Sequence, residues 1–240
     1  MPAESEGPFF FHYRFTLNSG ALKEFRVELD PATLQFIPKK KDAYPAWTGL
    51  DYCKCSHCPL DSKIHERCPI AANLTDVIDF AKDAISYEEA DVEIETASRT
   101  YKKRAALQHG VSSLMGIVMV TSGCPVMDKL RPMVRTHLPF AQMEETIYRL
   151  LSMYLLAQFF LWKKGGVPDW ELKGLIKVFE DIETLNQFFW KRLKGVHSQD
   201  AGLNAVAHLD VFAQFTHMLV QEGRLDEIER LFKTYFDGLI

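Results

Sequence analysis

Apolar and polar residues alternate from Phe9 to Leu17, which places Phe9, Phe11, Tyr13, Phe15 and Leu17 on one side of an extended chain. Asn18-Ser19-Gly20 is turn chemistry, and Phe25, Val27 and Leu29 then resume the alternation. The pattern predicts a β-hairpin. Asp30-Pro31 makes a second turn, and Leu34 to Ile37 adds a short strand. A Pro-, Lys- and Tyr-rich run from Pro38 to Leu50 has no period and reads as irregular. Further on, Asn73 can cap a helix through about Ser86, with Leu74, Val77, Ile78 and Ala81 on one face. Val92, Ile94 and Thr96 alternate with acidic residues and predict a further strand.

From about Ala105 the period becomes helical and stays so. Helices are expected over 105–120, 125–131, 141–164, 169–194, 199–222 and 224–238, separated by Gly123, Pro132, Pro139, Gly165-Gly166, Pro168, Gly195 and Gly223. The 141–164 segment is apolar nearly all round, so it is expected to be the central, most buried helix, with Leu155 and Phe159 in the core. The predicted fold class is α+β: a small N-terminal antiparallel sheet with one helix and a Cys-rich insertion, followed by a mainly α-helical bundle. The expected division is 1–104 for the α+β unit, with its Cys-rich segment at 51–72, and 105–240 for the bundle.

Composition narrows the function classes. Lys and Arg total 28 against 32 Asp and Glu, a net charge of −4, so no global basic field recruits nucleic acid. Lys39-Lys40-Lys41 and Lys102-Lys103-Arg104 are local basic clusters that read as solvated edges. Residues 1–8 lack the basic and apolar regions of a secretion signal, and the apolar run from Thr146 to Trp162 is short and interrupted for a membrane span. Five cysteines, an odd number, without a secretion signal imply reduced thiols and a cytoplasmic location.

Four of the five cysteines fall in DYCKCSHCPLDSKIHERCPIA: Cys53, Cys55, Cys58 and Cys68, with His57 and His65 among them. Thiolates are soft ligands suited to zinc or iron–sulfur chemistry. The Cys55–Cys58 pair lets one tight turn aim two sulfurs at an ion, and Cys68 can return to the same shell. A second C-x-x-C is absent, and the spacing matches no standard iron–sulfur signature, so zinc is the metal expected. Cys53 is taken as the fourth ligand. If it is not one, the position passes to His57, His65, Cys124 or water. The bland alternative is a set of buried thiols without chemistry.

A second, polar constellation lies in TSGCPVMDKLRPMVRTHLPFAQMEETIYR, residues 121–149. Cys124 sits at an expected helix start, which lowers a thiol's pKa and suits a reactive thiolate or a distant metal ligand, but a buried structural cysteine is the favoured reading. Arg135, His137, Glu145 and Arg149 follow. Glu145 and Arg149 are spaced to pair along a helix, and His137 could serve acid–base chemistry or simply hold a loop to the bundle. Asp200, Asn204, His208 and Asp210 share a later helix and read as a hydrogen-bonding face. No phosphate loop, nucleophile elbow or H-E-x-x-H occurs.

The segments CSHCPLD, CPIAANL, TSGCPVM, HLPFA and EETIYRLLSMYLLAQFF resemble a bacterial protein family of unknown function. The resemblance spans most of the chain and matches Cys55, Cys58, Cys68 and Cys124; Cys53 fits its pattern less well. It implies no activity, substrate or cofactor. The residues therefore lead to a zinc-binding-like, non-enzymatic binding or scaffold protein, with a protein partner or homo-oligomer and no membrane. The alternative is a thiol- or metal-dependent enzyme or redox sensor centred on Cys124 and the cysteine cluster.

Overall fold

The computed structural model describes residues 9–39, 41–196 and 200–237. Lys40 of the first lysine cluster, the residues before Phe9, and the ends of the expected 199–222 and 224–238 helices lie outside them.

Four strands, β1 (Phe9–Leu17), β2 (Leu22–Leu29), β3 (Glu89–Glu95) and β4 (Thr100–Ala106), form one antiparallel sheet in the order β2-β1-β3-β4. The alternation read from the sequence is the alternation of its faces. Phe11, Tyr13 and Phe15 of β1, Val27 and Leu29 of β2, and Ala90, Val92 and Ile94 of β3 are buried together. Strand β4 was not expected, because Thr100–Ala106 carries Lys102, Lys103 and Arg104 and no apolar alternation. It is an edge strand, and its charges are matched across the pairing: Lys102 meets Glu93, and Arg104 meets Asp91 at 3.0 Å. On the same outer face Arg14 bridges Glu93 and Glu95. That basic cluster is thus part of a charge ladder rather than a phosphate track.

The segment from Leu34 to Ile37 forms only an isolated bridge, Leu29 to Phe36. The helix expected from Asn73 begins earlier and breaks in two, α1 (Pro69–Asn73) and α2 (Thr75–Ala81). Pro69 supplies the first turn, with Cys68 as the N-cap residue.

The remaining helices are α3 (Leu107–Thr121), α4 (Met143–Lys163), α5 (Lys173–Lys194), α6 (Ala201–Gln221), α7 (Asp226–Arg230) and α8 (Lys233–Phe236). The chain between α3 and α4 is a 3-10 segment, Met127–Thr136, which accommodates Pro132. The centre of the molecule is α3, which packs against the sheet on one side and α6 on another. Gly110 lets it settle on the sheet: a Cβ there would stand 2.7 Å from the Phe15 ring and 3.0 Å from Val92. One continuous buried cluster runs from Phe11 on the sheet to Ile228 on α7.

Helix α4 does not take the central place. It buries Ile147, Leu150 and Leu151, while Leu155, Leu156, Phe159, Phe160, Leu161 and Trp162 are exposed. Leu155 and Phe159 are therefore surface residues, contrary to their expected place in the core. Apolar content all round a helix does not say which neighbours cover it. Here α3, with its small Gly110, Ser112, Ser113 and Gly116, has taken the middle position.

Candidate functional site: the cysteine loop and its anchor

The cysteine loop is closed at its neck. Gly49 and Arg67 form an isolated antiparallel bridge, Leu50 N–H donates to Glu66 O at 3.0 Å, and Cys68 N–H donates to Thr48 O at 2.9 Å. Beneath the neck lies Arg192 of α5, 2% exposed. Its guanidinium donates to Trp47 O (2.5 Å), Gly49 O (2.7 Å), Leu50 O (3.3 Å) and Cys53 O (3.3 Å). A planar fork with five N–H donors is the group best shaped to gather several carbonyls. Arg192 was missed in the sequence, yet it had a signal. It falls on the apolar stripe of α5 with Ile182, Leu185 and Phe189, where a charge must be buried with partners.

Within the loop, Cys58 N–H donates to Cys55 O at 3.0 Å, the tight turn expected of the C-x-x-C pair. Cys55 and Cys68 pack against the core, and Cys124, 7% exposed, is part of it. The Cys55 thiol is pushed up to about 12, first by burial and then by the neighbouring Cys68, Cys58 and Cys124 sulfurs; the Arg192 cation opposes them. Cys124 is raised to about 11 by burial, offset in part by the backbone N–H groups of Met127 and Val126 and raised further by Cys68 and Cys58. Cys55 and Cys124, from two separate stretches of chain, thus each lie within electrostatic reach of the Cys58 and Cys68 sulfurs.

Cys53 differs from the other four. It is exposed, its backbone is left-handed with φ 51°, and its contact with Arg192 is through the carbonyl. Nearby, both ring nitrogens of His57 are buried without a hydrogen-bond partner, an arrangement native structures rarely leave unanswered. All five cysteines are free thiols. Among the described residues no three His, Cys, Asp or Glu side chains stand in a group that could hold a metal ion.

The structure does not assemble the second constellation as one site. Cys124 belongs with the cysteine loop. His137 lies against the sheet, where its Nε2 is 3.1 Å from Tyr13 Oη and 3.4 Å from Ser113 Oγ, and its ring meets Phe11 edge-on at 5.3 Å. Burial, then the Arg149 cation, hold His137 down at about 3, so its imidazole is neutral. Tyr13 Oη also meets Ser113 Oγ at 3.0 Å. Arg149 donates to Met133 O at 3.2 Å. Glu145 turns back to the N-cap and accepts from Gln142 N–H at 2.7 Å, closing a capping box. Arg135 donates to Pro31 O at 2.8 Å and stacks over Phe9. These contacts fasten the 3-10 segment and the start of α4 to the sheet.

The expected hydrogen-bonding face of α6 is present. Asp200 accepts from Ser86 N–H and from Ser86 Oγ, Asn204 donates to Asp200, and His208 lies 3.2 Å from Ser112 Oγ. Asp210 accepts from Gln214 at 2.7 Å.

Two cavities of the described residues are lined by neither Cys124 nor His137. One, about 220 Å³, lies between β2 and α1–α2 beside Lys23, Lys41 and Tyr44. The other, about 480 Å³, is a groove between the start of α4 and α6–α7, floored by Ile147, Phe215 and Leu219. No helix among the described residues is long and apolar enough to cross a membrane.

Residues 11–233 match the family model described as a domain of unknown function, DUF6901. The chain belongs to that family. No curated protein and no solved structure matches it. The DUF6901 match covers the sheet, the cysteine loop and α3 to α6 together.

Proposed function

We propose that this DUF6901 chain is a cytoplasmic, non-enzymatic binding or scaffold protein whose cysteine loop is braced by one zinc ion. The observation that carries this reading is the packing of the two groups best suited to chemistry. Cys124 is buried with its thiol raised to about 11, and His137 is held neutral among Tyr13, Ser113 and Phe11. A nucleophile or general base needs access to substrate. Neither group lines either of the two cavities described above, and the two share no hydrogen-bond partner among the described residues.

The zinc ligands would be Cys55, Cys58 and Cys68, with Cys124 in the fourth position in place of the exposed Cys53. What supports this is that Cys55 and Cys124 each lie within electrostatic reach of Cys58 and Cys68, with the unpartnered His57 between Cys55 and Cys58 in the chain. Four thiolates around Zn²⁺ leave a net charge of −2, and the nearby Arg192 cation offsets part of it. Because the sulfurs stand short of ligand geometry, binding would draw the loop inward, coupling metal uptake to local order. Zinc held by four thiolates is structural, with no open position for a substrate.

Two measurements test the reading. Elemental analysis of the purified chain should give about one zinc per chain, lost in Cys58→Ser. Alkylation of Cys124 should be slow in the native protein and fast after denaturation. A zinc-free protein whose Cys124 reacts rapidly in the native state would instead favour the thiol enzyme or redox sensor.

A further inference from the structure

The surface of α4 is unusual for a helix that ends a packed element. Between Arg149 and Lys163 it carries no charge, and its second half is largely uncovered. Along its outer face run Tyr148, Ser152, Leu155, Phe159 and Trp162, spaced 4-3-4-3. Tyr148 is 40% exposed, Leu155 38%, Phe159 41% and Trp162 57%. Leu156 and Phe160 flank the stripe, and Phe232 of α8 stacks on Tyr148 at its near end. The 4-3 spacing is the period by which one helix meshes with another, because it keeps a single seam facing the partner.

We infer that this stripe is the self-association surface of the protein, and that its occupant is α4 of a second copy of this chain, packed antiparallel. This rests on the binding reading above and names its partner. Three features select a second copy. First, the two ends of α4 are opposite in charge: Glu144 and Glu145 open the helix, and Lys163 and Lys164 close it. A two-fold axis between Met153 and Tyr154 brings the acidic end of each copy against the basic end of the other. Antiparallel packing also opposes the two helix dipoles.

Second, the same axis makes the seam self-complementary. Leu155 then lies level with Ser152 of the second copy, and Tyr148 with Phe159 of the second copy, large against small at the centre and ring against ring outside it. A patch that matches itself under a two-fold rotation is what a closed dimer requires. Third, the uncovered apolar surface of the stripe and its flanks is on the order of 700 Å², close to the roughly 800 Å² per partner of a stable interface. A lipid surface would offer no counterpart to the acidic end of the helix.

Sedimentation of the full chain should show a dimer at micromolar concentration. Leu155→Glu/Phe159→Glu should weaken it by ~100-fold or more, because two central apolar contacts become buried charges. Both positions are solvent-facing, so the variant should keep the wild-type circular dichroism and remain folded. Glu144→Lys and Lys163→Glu should each weaken the dimer, and the combination should restore it. A wild-type chain monomeric at ~100 µM would overturn the inference. So would a dimer indifferent to Leu155→Glu/Phe159→Glu, or a monomer that binds anionic phosphatidylserine vesicles through this face. Zinc content and Cys124 labelling are independent of all these outcomes, so failure of the dimer and failure of the binding-protein reading are separable.

Discussion

Helices α3 and α4 are both apolar along most of their length, and they end in opposite environments. α3 is enclosed by the sheet, α6 and the 3-10 segment, with Leu114, Met115 and Met119 fully buried. α4 buries one short stripe near its start and then runs out of the body with Leu156 and Phe160 more than half exposed. The difference lies in side-chain size. α3 interrupts its apolar residues with Gly110, Ser112, Ser113 and Gly116, so neighbours approach its backbone. α4 carries Tyr, Phe and Trp, which fill a wide envelope and suit a surface that another helix covers. Hydrophobicity says that a helix needs cover; the distribution of small residues says how closely cover can come.

The sharpest way to break this comparison is truncation in each helix. Leu114→Ala on α3 should cost roughly 2–5 kcal/mol of unfolding free energy, since it empties a fully enclosed site. Phe159→Ala on α4 should cost under about 0.5 kcal/mol when the protein is dilute enough that its denaturation midpoint no longer depends on concentration. Equal losses would mean that α4 is a core element after all.

Arg192 extends the comparison to the cysteine loop, which has little apolar burial of its own. Arg192→Met would leave four carbonyls at the loop neck without their donor. The expected loss is ~2–4 kcal/mol, together with faster proteolytic cleavage within residues 51–66. Unchanged cleavage would show that the neck is held by its backbone bridge alone.

Two glycines of α3 sharpen the size argument. Gly110→Ala would drive a methyl into the Phe15 ring, and it should destabilise by about 1–3 kcal/mol. At Gly116 the nearest atom is Leu209 Cδ2 at 3.6 Å, an ordinary contact, so Gly116→Ala should stabilise by up to about 1 kcal/mol through helix propensity. Thermal melts of the two variants should therefore shift in opposite directions.

A further effect, reversible and comparable in size to the glycine substitutions, concerns pH. His137 is depressed to about 3 in the folded chain from its usual 6.5, by burial and then by Arg149. Between those values the unfolded chain takes up a proton that the folded chain refuses. The stability due to neutral His137 is complete above pH 6.5 and is lost as pH falls toward 3. His208, lowered by burial and by His109, adds in the same direction. Lowering pH from 7 to 5 should cost on the order of 1–2 kcal/mol through His137, and His137→Gln should reduce that dependence. An unaltered pH profile in the variant would place the acid sensitivity elsewhere.

The sequence by itself determined the α+β class, the β1–β2 hairpin and strand β3, because alternation with period two leaves few other ways to bury Phe11, Tyr13, Phe15, Val92 and Ile94. It also marked out the Cys55–Cys58 turn, and the Lys102-Lys103-Arg104 cluster as an edge. Tertiary structure alone decided the rest. Strand β4 exists because Glu93 and Asp91 stand opposite Lys102 and Arg104, a long-range match that no local period carries. Cys124 joins the other thiols because α3 ends beside the loop, and Arg192 reaches the loop neck from a helix more than a hundred residues away. Which of two apolar helices became the centre was settled by packing. Periodicity measures the need for burial, whereas the partner that satisfies it is chosen by shape and by charge complementarity between segments far apart in the chain.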